Sequence, residues 1–299
     1  MNYDIRHSTA YDYEHDVSLS HHVAHLTPRE TPRQRCLEHR IDALPRITTS
    51  STHPDHFGNL ASFFTVEGAH RRLEVFACSS VDVLPPETSS PDATPAWETI
   101  RDLFSLDVAN APLKSAEFVF GSPLAPCRPD LADYASPAFP AARPILAGAL
   151  DLCQRIYADF KFERQATTVM TTVQEFFTIR RGVCQDFAQL MVACLRSLGL
   201  PARYVSGYLE TLPPPGKPKL AGTDASHAWA SLWCGDHGWT DLDPTNNVLP
   251  SEHHITTAWG RDYADVAPLR GVLVGSGRHK LTVSVDVKRL SCNGPCTPP

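Results

Sequence analysis

With 299 residues, 42% of them apolar, the chain is long enough to bury one or two hydrophobic cores without disulfides or metals. A formal net charge of −6 and the lack of any basic run exclude the cationic stripe that a nucleic-acid backbone demands. The opening MNYDIRHSTAYDYEHDVSLS has no basic segment followed by an apolar one, and no stretch of about 18 apolar residues occurs, so the expectation is a cytoplasmic chain that does not enter a membrane.

From Tyr3 to about Pro85 short alternating stretches recur, such as Tyr11-Asp-Tyr13, Val17-Ser-Leu19 and Leu73-Glu-Val75, punctuated by Pro28, Pro45 and Phe57-Gly58-Asn59. Alternation with such breaks predicts an all-β N-terminal domain, residues 1–85. The segment Pro85 to Pro95 is rich in proline and small polar residues and marks a boundary, because it cannot bury enough to pack by itself. Residues 86–143 read as a Pro-rich connector with short helices at Trp97–Phe104 and Asp130–Tyr134, to which no chemistry attaches.

After Pro144 the period becomes helical, with Ile145, Leu146, Ala149, Leu152, Cys153 and Ile156 on one stripe. A second stripe, Val183, Phe187, Leu190, Met191, Cys194, Leu195 and Leu198, stops at Gly199 and Pro201. Cys184 therefore sits at a helix start. Strand-like runs follow at Ala202–Leu209, His227–Trp233 and Gly238–Asp243, and Leu281–Val287 alternates as a closing strand with the option of pairing with an earlier sheet. The pattern predicts an α+β core over residues 144–290, one helix feeding an antiparallel sheet, with 291–299 as a frayed tail.

A thiol attacks as thiolate, and a helix N-terminus favours that anion through its unpaired N–H groups and dipole. The Cys184 amide in that position is also suited to receive the oxyanion of a tetrahedral intermediate. A base has to come from elsewhere in the chain. His227 begins a strand and shares a face with Trp229, Ser231 and Trp233, while on the next strand Trp239, Asp241 and Asp243 share a face. Either aspartate is placed to orient the imidazole in a nucleophile, base and orienter arrangement.

Four blocks make a resemblance specific: Arg181-Gly-Val-Cys184-Gln-Asp-Phe-Ala188, Pro201-Ala-Arg-Tyr-Val-Ser-Gly-Tyr208, Asp224-Ala-Ser-His227-Ala-Trp229 and Gly238-Trp-Thr-Asp-Leu-Asp243-Pro-Thr245. Together they resemble the core of the bacterial transglutaminase-like family over roughly Ile145 to Asn247. The opening resembles that family's N-terminal region in Tyr11-Asp-Tyr13, Leu26-Thr-Pro28-Arg29 and Asp55-His-Phe57-Gly58-Asn59, and Gly260 to Gly271 resembles its C-terminal part. The resemblance implies a papain-like fold with the nucleophile helix packed on an antiparallel sheet. It also implies a catalytic triad of Cys184, His227 and Asp243, choosing Asp243 over Asp241, with no cofactor and no metal.

Family members include crosslinking transglutaminases, peptide N-glycanases and cysteine proteases, so the resemblance implies acyl transfer through a cysteine thioester and a protein or peptide substrate. Hydrolysis is the expected outcome because water is always available, with amine transfer fitting the same residues. A noncatalytic protein-binding scaffold is the rival from another class. Animal transglutaminases use a tryptophan upstream of the cysteine as an oxyanion donor, whereas no tryptophan lies between Glu98 and Cys184 here. Gln165, Tyr157 and Gln185 carry donor groups that could replace it, and nearness in sequence favours none of the three. The proline-rich run from Thr211 to Ser226 is expected to form one rim of the cleft.

Several features have plainer explanations. The nine cysteines show no framework spacing and suit a reducing compartment, and Cys78, Cys153 and Cys194 lie in apolar patterns as small hydrophobes. His21, His22 and His25 read as strand residues because no Cys or carboxylate completes a ligand spacing. Cys292 and Cys296 read as part of a loose tail. Trp229, Trp233 and Trp239 fit core packing or a substrate channel equally, and Asp224 is either a turn former or a tuner of His227.

Overall fold

A computed structural model describes residues 1–86, 90–107, 109–211, 224–275 and 277–290. The N-terminal part is built from β1 (Asn2–Ala24), β2 (Gln34–Leu44), β3 (Thr49–Pro54) and β4 (Leu60–Val83). Helices α1 (Trp97–Ser105), α2 (Leu113–Ala116), α3 (Pro129–Ala135) and α4 (Ile145–Asp159) follow. Next come β5 (Lys161–Phe162), α5 (Val173–Ile179), β6 (Arg181–Gly182) and α6 (Cys184–Ser197). The remainder comprises β7 (Ala202–Leu209), β8 (Ala225–Trp233), β9 (Trp239–Leu242), β10 (His254–Gly260), α7 (Tyr263–Val266), β11 (Leu269–Val274) and β12 (His279–Leu290).

Strands β7 to β10 form an antiparallel sheet in the order β10-β7-β8-β9. Helix α6 packs on β7 and β8 and is covered on its other side by α3, α4 and α5. Covered from every side, it buries polar Gln185, Asp186, Gln189 and Arg196 along with its apolar stripe. The buried Arg196 guanidinium is satisfied by the Ala202 and Arg261 carbonyls at 2.8 Å each and by Ser122 Oγ at 3.2 Å. An α+β core, with the helix that begins at Cys184 packed against an antiparallel sheet, is thus the observed architecture.

The other sheet is organised around β1 and β4, which pair along nearly their whole length, with β2 and β3 on the far side of β4. β11 and β12 leave the core sheet and pair with β1, β12 in continuous register from Asn2↔Leu290 to Tyr13↔His279. The closing strand therefore completes the N-terminal sheet. Tyr3, Ile5, Val81, Val83, Val285 and Val287 from this sheet pack on Tyr208 and Ile255 of the core sheet in one buried cluster. Among the described residues, no helix is long and apolar enough to cross a membrane.

Candidate active site

The site begins at the first residue of α6. Gly182 precedes it for a steric reason: a Cβ there would lie 2.5 Å from Asp186 Oδ2 and 2.8 Å from the Phe176 ring. Asp186 caps the helix, with Oδ2 accepting the Val183 N–H at 2.8 Å and the Thr167 hydroxyl at 2.6 Å. Burial pushes the Asp186 carboxyl above its usual range, against these hydrogen bonds. Cys184 is thereby fixed in the first turn, among the donors an α-helix leaves without intrahelical partners. It is partly exposed, whereas Cys153, Cys194 and Cys234 are buried. Burial pushes Cys153 and Cys234 up to about 12 and Cys194 higher still.

His227 lies on β8, paired with Gly207 of β7, and its imidazole stands close enough to Cys184 for the thiol to act on its charge. Its Nε2 donates to Asp243 Oδ2 at 2.7 Å, which leaves Nδ1 as the nitrogen available to sulfur. Burial alone would lower the His227 pKa, but the bond to Asp243 and the influence of Asp243 and Cys184 on the ring's charge outweigh it and raise the value to about 10. An imidazolium between two potential anions is the form this environment favours.

Asp243 follows β9 directly and is completely buried. Its Oδ1 accepts the N–H groups of Thr245 and Asn246 at 3.0 and 3.2 Å, an aspartate turn that closes the hairpin between Asp243 and Val248. Its Oδ2 accepts Asn246 Nδ2 at 2.7 Å and His254 Nε2 at 3.2 Å in addition to His227. Burial works to raise the Asp243 pKa, yet these donors hold the carboxyl well below the usual range. Asp241 is instead a charge partner of Arg203 and Arg33.

Three residues named from sequence thus lie together: Asp243 bonds His227, and Cys184 is near enough to act on the charge of its ring. Two further members went unnamed. Asn246 stands three residues after Asp243, a spacing that the turn chemistry of Asp-Pro-Thr-Asn makes visible. His254 comes from β10, and no local pattern points to it. Of the side chains considered as oxyanion donors, Gln185 is buried beside Cys184 and donates to the Val169 carbonyl at 3.3 Å. Gln165 and Tyr157 are both exposed.

Asp224 ties strand ends together, accepting the N–H groups of Thr211 and Val287 at 2.8 and 2.7 Å. Residues 212–223 of the expected cleft rim, and the tail with Cys292 and Cys296, lie outside the described residues. Trp229 is fully buried, so core packing is its role, while Trp239 packs against the Arg203 guanidinium. His21 bonds Thr65, His22 stacks on Phe64, and His25 bonds the Ala267 carbonyl and approaches Asp55.

Residues 3–82 match the family model for the bacterial transglutaminase-like N-terminal region, and residues 134–244 match that of the transglutaminase-like superfamily. An uncharacterised Mycobacterium tuberculosis protein is 43% identical over 303 residues, covering 95% of this chain and 92% of the relative. The chain belongs to the bacterial transglutaminase-like family. This transglutaminase-like protein also shares 40% identity over 75 residues with a Pseudomonas aeruginosa protein-glutamine gamma-glutamyltransferase, a match spanning 25% of this chain and 11% of the relative. Its fold is that of a candidate cysteine protease from Cytophaga hutchinsonii, with a TM-score of 0.75 at 22% identity over all of this chain and 93% of the other. The expected family and fold class are both met.

Proposed function

We propose that this protein is a cysteine-dependent acyl-transfer enzyme acting on amide, peptide or isopeptide bonds, with Cys184 as nucleophile, His227 as acid and base, and Asp243 as orienter. The observation that carries the reading is the position of His227, whose Nε2 bonds buried Asp243 at 2.7 Å while its ring stands close enough to partly exposed Cys184 for the thiol to act on its charge. The Cys184 thiolate attacks the substrate carbonyl to give a tetrahedral intermediate, whose oxyanion the Cys184 N–H is placed to receive. Imidazolium then gives its proton to the departing amine as the C–N bond breaks, leaving a thioester and a neutral imidazole. Water, deprotonated by His227, attacks the thioester, and collapse of the second tetrahedral intermediate releases the acid and restores the thiolate with its imidazolium.

Within this class hydrolysis is favoured over transfer to an amine, because water reaches any open site and an amine acceptor must be bound. A protein or peptide is the proposed substrate, and the partial exposure of Cys184 supports access for a chain of that size. The rival is a noncatalytic scaffold. Peptide-resolved iodoacetamide labelling separates the two: at mildly acidic pH Cys184 is expected to react well ahead of the other cysteines, three of which are buried among the described residues. Equal labelling rates at Cys184, Cys36 and Cys127 would favour the scaffold. Cys184→Ala is expected to abolish thioester trapping from a peptide pool while leaving the circular dichroism spectrum unchanged, and acyl capture elsewhere in that variant would refute the assignment.

A further inference from the structure

Asp243 Oδ2 takes three donors, and the chemistry above uses only one. His227 Nε2 and Asn246 Nδ2 approach it at 2.7 Å, and His254 Nε2 at 3.2 Å. His254 opens β10, is 8% exposed, and lies edge-on to the Trp229 ring at 5.3 Å. Its other nitrogen, Nδ1, accepts the Ser251 backbone N–H at 3.3 Å. A backbone N–H can only donate, so Nδ1 holds the lone pair and Nε2 carries the proton. Neutral His254 is therefore a donor to the Asp243 carboxylate.

The same residues compose a possible metal set, since donor atoms of His227, Asp243 and His254 lie within 4.8 Å of one another. The tautomer decides between the readings. A metal-bound imidazole coordinates through its bare nitrogen and gives its other N–H to an acceptor. His254 has the reverse arrangement, with its bare nitrogen facing a backbone donor and its N–H facing the carboxylate.

We propose that His254 is a positioning residue of the acyl-transfer site, whose Nε2–H fixes the Asp243 carboxylate so that His227 is held toward Cys184. The inference rests on the acyl-transfer reading and adds to it a second imidazole with a different task. The titratable groups around this pair are Cys184 of α6, through His227 of β8, and buried Cys153 of α4, which senses the Asp243 charge. Adjacent His253 turns to Glu210, which also accepts from Arg289 and Tyr3. The His254 N–H helps keep Asp243 ionised. Without it, Asp243 titrates nearer the ordinary carboxylate range and, once protonated, no longer supports the imidazolium.

The test uses the full chain and the rate of iodoacetamide alkylation at Cys184, resolved by mass spectrometry, as a function of pH. H254F keeps an aromatic ring against Trp229 and removes the donor, while H254Q puts an amide N–H close to the place of Nε2. The acid limb of the profile is expected to move up by about one pH unit in H254F and to return toward wild type in H254Q. A folded H254F whose profile superimposes on wild type overturns the proposal. Should H254F fail to fold, proton–nitrogen correlation NMR of the wild-type His254 ring decides: a proton on Nε2 supports the role and a proton on Nδ1 overturns it. A wild-type profile altered by exhaustive chelation replaces the positioning role with the metal set. Unselective labelling of wild-type Cys184 would instead sink the acyl-transfer reading, and the tautomer measurement would still judge the His254 contact.

Discussion

His227 is where opposing influences are largest on a single side chain. Burial favours the neutral ring, and Asp243 and Cys184 favour the cation strongly enough to raise its pKa from 6.5 to about 10. Because the folded value exceeds the unfolded one, the stability it contributes is complete below about pH 6.5 and is lost as pH rises through about 10. Asp243 has the opposite sign: its folded value lies below the ordinary carboxylate range, so its contribution is complete above about pH 4 and is lost as pH falls through the folded value. The urea-unfolding gap between wild type and Asp243→Asn is therefore expected to be largest between about pH 4 and 6.5 and to shrink toward pH 10. A gap that does not vary with pH would show that the two side chains are not an ion pair. Turnover in the same variant is expected to fall by ~10²–10⁴, since an amide presents its NH₂ or its oxygen without enforcing the histidine tautomer.

At the scale of elements, α6 shows what can and cannot be read from residue patterns. Its start was legible because Gly182, Val183 and Cys184 precede a 3.6-residue apolar stripe and Gly199 ends it. Its burial on all sides was not, because Gln189 and Arg196 look like a solvated face; Arg196 is held instead by the nearby Ala202 carbonyl and, from distant segments, by the Arg261 carbonyl and the Ser122 hydroxyl. His254 was illegible for a related reason. β10 joins the sheet beside β7, out of chain order, and nothing local to His253-His254 announces that pairing. The closing strand was readable as a strand from its alternation, yet its partner β1 lies more than 250 residues away in sequence, where local periodicity carries no information.

The helix start also yields a direct prediction. Gly182→Ala would drive a methyl group into Asp186 Oδ2 and the Phe176 ring, so either the cap or the aromatic packing has to move. A destabilisation of about 2–3 kcal/mol in urea unfolding is expected, as for other overpacked buried sites. Slower alkylation of Cys184 should accompany it, because the same cap fixes the first turn. Alanine tolerated without loss on either measure would mean that the turn before α6 is not tightly packed.

At the scale of the whole molecule, two buried amides join the sheets. β10 is an edge strand of the core sheet, and an uncovered edge presents unpaired N–H and C=O groups. Gln34 answers Thr256 with both ends of its amide, Oε1 accepting the N–H at 2.8 Å and Nε2 donating to the carbonyl at 2.7 Å. Asn59 does the same for Trp259, accepting its N–H and donating to its carbonyl, both at 2.9 Å. Arg29 reinforces the seam, bonding Asn59 Oδ1 at 2.6 Å while its guanidinium lies 3.5 Å from the Trp259 ring centroid. The Asp55-His-Phe57-Gly58-Asn59 block thus acts as a clasp, with Asp55 holding the Asn59 amide in turn. Asn59→Ala removes the side-chain partners of the Trp259 N–H and carbonyl, two partly buried groups, at about 1 kcal/mol for each. The variant is expected to unfold at clearly lower urea than wild type and to associate with increasing concentration as the β10 edge is uncovered. Thr52→Ala, on exposed β3 of the same sheet, should stay within about 0.5 kcal/mol of wild type. Equal unfolding midpoints for the two variants would mean that the sheets are held by the apolar seam around Tyr3 and Ile255 alone, without help from the amide clasp.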